Sequence, residues 1–457
     1  MDTKRRWIFR VPPEELLAVL LIVALCITTG FAAPPNQRRL ASLLKPLTDR
    51  DLFSGSVVVV QDGRTIAEQH SGHANREQQT PIGGGTRFYV ASVTKSFTAT
   101  AILLLRDAGK LSLDDPVSNF MPDFPHGIIT IRQLLTHRSG LQHPVFYPDY
   151  YDLAKKSYST AEAVALFKDR QLISAPGTQR RYSDYNYTLL ARIIEVASGE
   201  GYGQFLSEHV FRPQHLSSAG NHTSWAQIVM HRAAGYQPVG MTDFENARYF
   251  DYSIATGAAS VYMSSEDLAH WVEAVGSSSV LSAPSTSELL GTSENAGLLQ
   301  SRDVAGHRAI ALNGWDNIGF AADALYFPES HLAIAVTTNL NDSGIAPYLT
   351  ERVAQLFLKK GQVELPQFSE KVTDPQRFAG KYRFGSDFYV PGQELEIVVR
   401  NEQVFELQKN PERLMGFIPL SDGSFMYRSH WAQVTFQQEN GRVVALMFDH
   451  FKATKIP

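Results

Sequence analysis

TRFYVASVTKSFTATAILLLRDAGKL, residues 86–111, decides how the rest of the chain is read. Ser92 follows the strand-like Phe88-Tyr89-Val90 and opens an apolar run that continues to Ala108, where Gly109 stops a helix. A serine at that point holds its hydroxyl at the positive helix end, where negative charge developing on an attacked oxygen is favoured. Lys95, three residues on, shares a helix face with Ser92, and burial would lower its pKa toward that of a proton acceptor. Such a pair can activate a serine without histidine. The spacing alone is common: about two Ser-x-x-Lys matches are expected by chance in a chain of this length. Ser42 and Lys45 form the other match, on a helix-patterned stretch with no Gly-rich or capping context. From the 86–111 segment by itself, a helix-capping Ser92 with a solvated Lys95 remains an equal alternative.

The chain has 457 residues, 44% hydrophobic and 19% charged, which is ample material for one large core with a smaller domain attached. A formal net charge of -4 without long basic or acidic runs excludes a nucleic-acid footprint and leaves a small neutral or mixed-charge substrate as the expectation. Residues 1–33 read as a targeting segment: Lys4, Arg5 and Arg6, an apolar run from Leu16 to Thr28, then small residues around Gly30 and Ala32. The run is short for a membrane span, yet Glu14 and Glu15 before it are unusual in a signal peptide, so a cleaved signal and an uncleaved anchor both stay open. Either puts the body of the chain in the periplasm or outside the cell, touching membrane only through that segment. Cys26, the single cysteine, lies in the apolar run, so the remainder has neither disulfide nor thiol chemistry.

Leu40, Leu43, Leu44 and Leu47 recur at helical spacing, and a hairpin follows in which Val57 to Val60 and Ile66 to Glu68 flank Asp62-Gly63. Residues 331–337 predict a strand and 345–360 a helix, while helical patterns at 92–108, 161–167, 188–197 and 265–274 fill the middle. This predicts an α/β (α+β) sandwich with an inserted helical lobe. Beyond Pro366 the texture changes to short strands at 394–399, 404–407, 425–428, 432–437 and 442–448, with Asn440-Gly441 as the tightest turn. Residues 378–457 therefore predict a small β-barrel-like module with Phe405, Phe425 and Phe448 inside it.

The 86–111 segment resembles the nucleophile segment of the serine β-lactamase-like and penicillin-binding-protein family, which includes class C β-lactamases, D-alanyl-D-alanine carboxypeptidases and related esterases. IRQLLTHRSGL (131–141), the stretch 176–195 ending in YSDYNYTLLARIIE, and residues 264–271 and 319–339 resemble the family's later segments in order and spacing, so the similarity covers about residues 38–360. It implies a β-lactamase/transpeptidase-like fold and an exported serine hydrolase that cleaves ester or amide bonds of small molecules or peptides through a Ser92 acyl-enzyme, with no cofactor. The tail resembles the lipocalin-like modules appended to some members.

In that family a Tyr-x-Asn motif supplies the second catalytic group, and the matching residues are Tyr182, Ser183 and Asp184. The resemblance implies that Tyr182 lies between Ser92 and Lys95, takes the serine proton and returns it to the leaving group. Asp184 departs from the asparagine: a carboxylate cannot donate to a substrate carbonyl, and its charge would keep Lys95 protonated, which favours Tyr182 as base. The third motif, Lys-Thr-Gly or His-x-Gly in relatives, falls on Asn313, Gly314 and Trp315. Asn313 would donate to a substrate carboxylate or ester, Trp315 would narrow the pocket, and the backbone N–H groups of Ser92 and Asp316 would form the oxyanion hole. With Asp184 and Asn313 in those places the site loses positive character, so short neutral esters are expected to be better substrates than penicillins. Since two of three motifs depart from the pattern, a non-catalytic protein that binds peptide or cell-wall fragments in the same cleft is the alternative. His70 and His73 have loose metal-like spacing but no second ligand pair, so no metal is expected. The resemblance makes His137 a loop-packing residue rather than a partner of Ser92.

Overall fold

The computed structural model describes residues 33–291, 299–359, 363–409 and 412–457; the targeting segment through residue 32 lies outside the described residues. Helix α1 (Pro35–Thr48) buries Leu40, Leu43, Leu44 and Leu47. Strands β1 (Gly55–Gln61) and β2 (Arg64–Ser71) follow as a hairpin, with Asp62 and Gly63 at φ 50° and 72°, the left-handed pair that a two-residue turn requires. The chain then leaves for a helical lobe containing α2 (Thr94–Asp107), α3 (Asp184–Ser198) and α4 (Ser265–Gly276). It returns as β3 (Gln300–Val304), β4 (His307–Trp315), β5 (Ala321–Phe327) and β6 (Leu332–Thr338), then α5 (Ile345–Leu358).

The six strands form one antiparallel sheet in the order β3-β4-β5-β6-β1-β2. Strands β5 and β6 are buried at every position because helices cover both faces. Alternation sorts their side chains: Val58, Val60, Ala322, Ala324 and Tyr326 face the lobe with α2 and α4, and Val57, Val59, Leu325, Phe327 and Ile334 face α1 and α5. Helix α2 is fixed from behind by α4, where the Trp271 indole stacks on Phe97 at 4.1 Å and donates to Ser96 Oγ at 2.8 Å. The expected sandwich with a helical lobe is therefore the observed architecture, with one local difference. Ser92 is not in the α-helix proper: Ala91–Val93 form a 3-10 turn, and Ala91 holds φ 45°, a conformation that costs a non-glycine residue energy.

Eight strands between Gly380 and Ile456 close into a barrel. Phe378, Tyr382, Phe417 and Phe425 fill its interior, and Phe448 packs against them. Phe405 corrects the sequence reading. Its neighbour Val404 belongs to the interior cluster, so alternation turns Phe405 to the outside, where it is nevertheless buried. The barrel leans on the sandwich through backbone bonds between Gly240 and Leu414 (2.7 Å) and between Gly416 and Gly240 (3.0 Å), and through Trp431, which joins the α1/α5 core and meets the Tyr348 ring at 6.4 Å.

Trp431→Ala is expected to destabilise the protein by about 3–5 kcal/mol, because it empties a large buried site at this junction. Urea unfolding checks it; a midpoint within error of wild type would mean that the barrel does not depend on this wedge.

Candidate active site

The Ala91–Val93 turn delivers the Ser92 hydroxyl to the floor of a cleft of about 1120 Å³ between the helical lobe and β4. Two groups meet that oxygen: Tyr182 Oη at 2.7 Å and Lys95 Nζ at 2.9 Å. The ammonium has three N–H donors, and three acceptors surround it. Beyond Ser92 they are the Ala258 carbonyl at 3.0 Å and Asp184 Oδ1 at 2.7 Å, the latter an ion pair rather than an aligned hydrogen bond. The Ala258 carbonyl is held in place by its neighbour, since Thr98 on α2 donates to Gly257 O at 2.7 Å. Gly257 sits at φ 82° against the Tyr187 backbone, where a side chain has no room.

Tyr182 and Asp184 arrive on a loop that is tied down along its length. Gly177 N–H donates to Arg138 O and Arg181 N–H to His137 O, both at 2.7 Å, before α3 begins at Asp184. His137 Nδ1 accepts from Ser183 N–H at 3.2 Å and stands 3.0 Å from the Asn186 amide nitrogen, and its ring packs on Tyr182 at 4.4 Å. Burial, with Lys95 nearby, pushes the His137 pKa down to about 3, so this histidine is neutral and structural.

The electrostatics centre on Lys95 and Asp184. Burial disfavours the Lys95 ammonium, but Asp184 and Tyr182 together outweigh it and leave the lysine pKa above its ordinary value. Asp184 is likewise opposed by burial and rescued by Lys95 and His143, which hold it well below the usual carboxylate range. Lys95 is therefore charged at neutral pH, the sense anticipated from the Asp184 substitution.

A family model described as Beta-lactamase matches residues 40–357. The chain belongs to the Beta-lactamase family. PbpX of Bacillus subtilis (strain 168), named as a candidate penicillin-binding protein, is 34% identical over 223 residues, which cover 47% of this chain and 53% of PbpX. The protein flp of Staphylococcus aureus (strain MW2) is 29% identical over 241 residues, 50% of this chain and 47% of flp. The chain thus matches about half the length of these curated relatives. Among solved structures, an octameric penicillin-binding protein homologue from Pyrococcus abyssi superposes with TM-score 0.63 at 22% identity over 92% of this chain and 99% of its own. The D-amino acid amidase of Ochrobactrum anthropi SV3, complexed with L-phenylalanine amide, gives TM-score 0.62 at 22% identity over 71% and 99%. At these identities the structural likeness speaks for fold alone.

Within this member of the Beta-lactamase family, the third motif sits one residue earlier than its sequence alignment to Asn313, Gly314 and Trp315. Asn313 pairs in register with Asp323, donates to its Oδ1 at 2.9 Å, and so lies on the sheet face where Thr350 of α5 also bonds Asp323. That bond ties Asn313 to the buried Asp323, while its side chain stays exposed and still lines the cleft. The residue that must be small is Gly314, whose added Cβ would strike Val90 O and stand 2.8 Å from Ser92 N. Two residues before it, on the nucleophile's side of the sheet, is buried Leu312. Asp316 also corrects its assignment: its N–H is bonded to Phe320 O at 3.1 Å and is not free for an oxyanion. Alternation then turns the Trp315 N–H to the opposite edge of β4, where no described residue pairs with it. The Trp315 indole is directed outward, donating to Asn341 Oδ1 at 3.1 Å.

Three residues escaped the sequence reading. His143 faces Asp184, and Arg138 and Arg180 line the cleft without an ion-pair partner among the described residues. No motif in the sequence marks them. Among the described residues the arginines also run against the expected loss of positive character, since the two carboxylates that line the cleft there, Asp184 and Asp316, are both internally engaged.

Gly314→Ala is expected to lower acylation of Ser92 by at least about 100-fold with the fold retained, because the methyl displaces the Val90–Val93 backbone; unchanged acylation would show that the strand yields. Asp316 gives a stability prediction. Burial pushes its pKa up to about 6, against hydrogen bonds from Tyr252 and from the Ile318 and Phe320 N–H groups. A raised folded pKa means stability present below the unfolded value near 4 and lost as pH rises through about 6, at most about 3 kcal/mol. Urea midpoints at pH 4.5 and 7.5 should show that fall in wild type and a smaller one in Asp316→Asn.

Proposed function

We propose that this chain is a serine hydrolase that cleaves ester or amide bonds of small substrates through an acyl-enzyme on Ser92. The observation that carries the reading is the convergence of Tyr182 Oη and Lys95 Nζ on one serine oxygen at 2.7 Å and 2.9 Å, at the foot of an open cleft. With Lys95 held as an ammonium by Asp184, the lysine is electrostatic support, and Tyr182 in its phenolate form is the base. The serine proton passes to Tyr182 Oη as Ser92 Oγ bonds to the substrate carbonyl carbon; Tyr182 then gives that proton to the leaving group as the C–O or C–N bond breaks. Water repeats the cycle on the acyl-enzyme. The oxyanion is assigned to the Ser92 and Trp315 N–H groups, in place of Asp316.

Leu312 puts an apolar side chain on the nucleophile's side of this strand, while Arg138, Arg180 and Arg308 among the cleft-lining residues offer charge for a substrate carboxylate. Esters, amides and short peptides all remain within the proposal, as does the D-amino acid amide chemistry named for a structural neighbour. Export through the amino-terminal segment and lipocalin-like kinship of the barrel belong to the same proposal; the barrel's filled interior supports a docking role over ligand carriage.

A fluorophosphonate is expected to label Ser92 in wild type and not in Ser92→Ala. With an activated acetate ester, Lys95→Ala and Tyr182→Phe should each cost about a thousandfold or more in acylation and the double variant little further, because the two serve one proton network. A wild type that neither labels nor turns over esters, amides or a chromogenic cephalosporin would favour a binding protein using the same cleft.

A further inference from the structure

We propose that His143 is a positioning residue for the nucleophile, acting through Asp184 and Tyr182 rather than on substrate; the proposal rests on the reading of Ser92 as nucleophile. Asp184 stands between two basic side chains, with Oδ1 2.7 Å from Lys95 Nζ and Oδ2 3.4 Å from His143 Nε2. His143 Nδ1 accepts the Val145 N–H at 3.3 Å, so a neutral ring carries its proton on Nε2, the nitrogen that faces the carboxylate. The separation from Asp184 is long for a hydrogen bond, and the interaction is chiefly electrostatic. Both side chains are largely shielded from water, at 17% and 16% exposure, where such attraction is weakly screened. His143 also stacks on Tyr182, with ring centroids 5.7 Å apart and planes inclined by 19°. Its backbone is tied to the same segment, because Ser183 Oγ donates to Gln142 O at 3.1 Å. One residue thus meets Tyr182, which bonds Ser92 Oγ, and Asp184, which holds Lys95, without contacting that lysine directly.

The physical need for it follows from Asp184. A shielded carboxylate whose second oxygen lacked a partner would turn both oxygens onto Lys95 and draw the ammonium away from Ser92. His143 occupies that second oxygen and keeps Lys95 shared among Asp184, Ala258 O and Ser92. An asparagine at 184 would carry no such charge and would have no need of an N–H at 143. His143 and Asp184 therefore act as a pair, and the loss of one should depend on the presence of the other.

The test uses the full chain with 4-nitrophenyl acetate as substrate. His143→Phe keeps the ring on Tyr182 and removes the N–H; His143→Gln keeps a donor. The Phe variant is expected to lose about 10- to 100-fold in kcat with KM within about twofold, and the Gln variant to recover most of that loss. Placed on Asp184→Asn, the same His143→Phe change should cost less than about threefold. Equal losses on both backgrounds, or wild-type kcat in His143→Phe, would overturn the pairing. If the Phe variant fails to fold, His143→Ala compared on both backgrounds decides: a kcat loss of about tenfold or more on wild type and of less than about threefold on Asp184→Asn is expected, and equal losses overturn the pairing. Fluorophosphonate labelling of wild-type Ser92 separates the two levels: labelling with no coupling defeats only the pairing, and no labelling defeats the nucleophile assignment and the pairing with it.

Discussion

A lysine ammonium shielded as thoroughly as Lys95 loses several kcal/mol of hydration, and the site is arranged around restoring it. Asp184 and Tyr182 favour the charge, and the Ala258 carbonyl and Ser92 hydroxyl accept hydrogen bonds from it. Each of those partners needs its own support. Asp184 draws on His143, Ala258 on the Gly257 turn held by Thr98, and the Tyr182–Asp184 loop on the backbone bonds to His137 and Arg138. The positive φ of Ala91 belongs to the same economy of position: strain at the turn that carries Ser92 persists only because packing on both sides of it is fixed. Removing the charge at 184 would therefore disturb more than one hydrogen bond, since it changes the protonation logic of the whole cluster.

Strand β4 imposes a second constraint, that of parity. Successive residues face opposite sides of a sheet, so a one-residue error in aligning the third motif exchanges the side chain near substrate for the one behind the sheet. Gly314 fixes the parity because the Ser92 turn passes too close for any Cβ. From that single point, Leu312 falls on the nucleophile's side and Asn313 on the other, bonded to Asp323. The same alternation assigns the Asp316 N–H to the sheet and the Trp315 N–H to the open edge.

What the sequence disclosed and withheld follows the range of each interaction. The Asp62-Gly63 hairpin, the Leu-rich first helix and the alternating tail strands are local patterns, and they appear where residue spacing puts them. The Ser92 and Lys95 pair was legible because three residues along a helix start bring two side chains together. Tyr182 came from the family resemblance, since nothing within its own segment shows which loop it will meet. The 3-10 turn at Ser92, the outward face of Phe405 and the role of Leu312 depend on partners far along the chain. His143 was invisible for the same reason: a lone histidine before a proline has no pattern until Asp184 folds over it.

Behind the strand, the face that carries Asn313 is no less organised than the one that carries the chemistry. Asp323, fully buried, gathers Arg302 Nη2 at 3.0 Å, the Asn313 amide at 2.9 Å and the Thr350 hydroxyl of α5. Asp342 caps the start of α5 through the Gly344 N–H at 2.9 Å, and Gly344 abuts the His430 carbonyl of the barrel so closely that no side chain fits. Close packing and a set of buried hydrogen bonds therefore run from the barrel through α5 to the back of β4, whose front face borders Ser92. Preorganised donors act only if they do not move when charge develops, so a strand braced from behind is a physical requirement of the proposed oxyanion site. The barrel has a place in that requirement: pressed against α5 at Gly344 and Trp431, it stiffens the wall on which the Trp315 N–H is carried, with none of its described residues in the cleft lining.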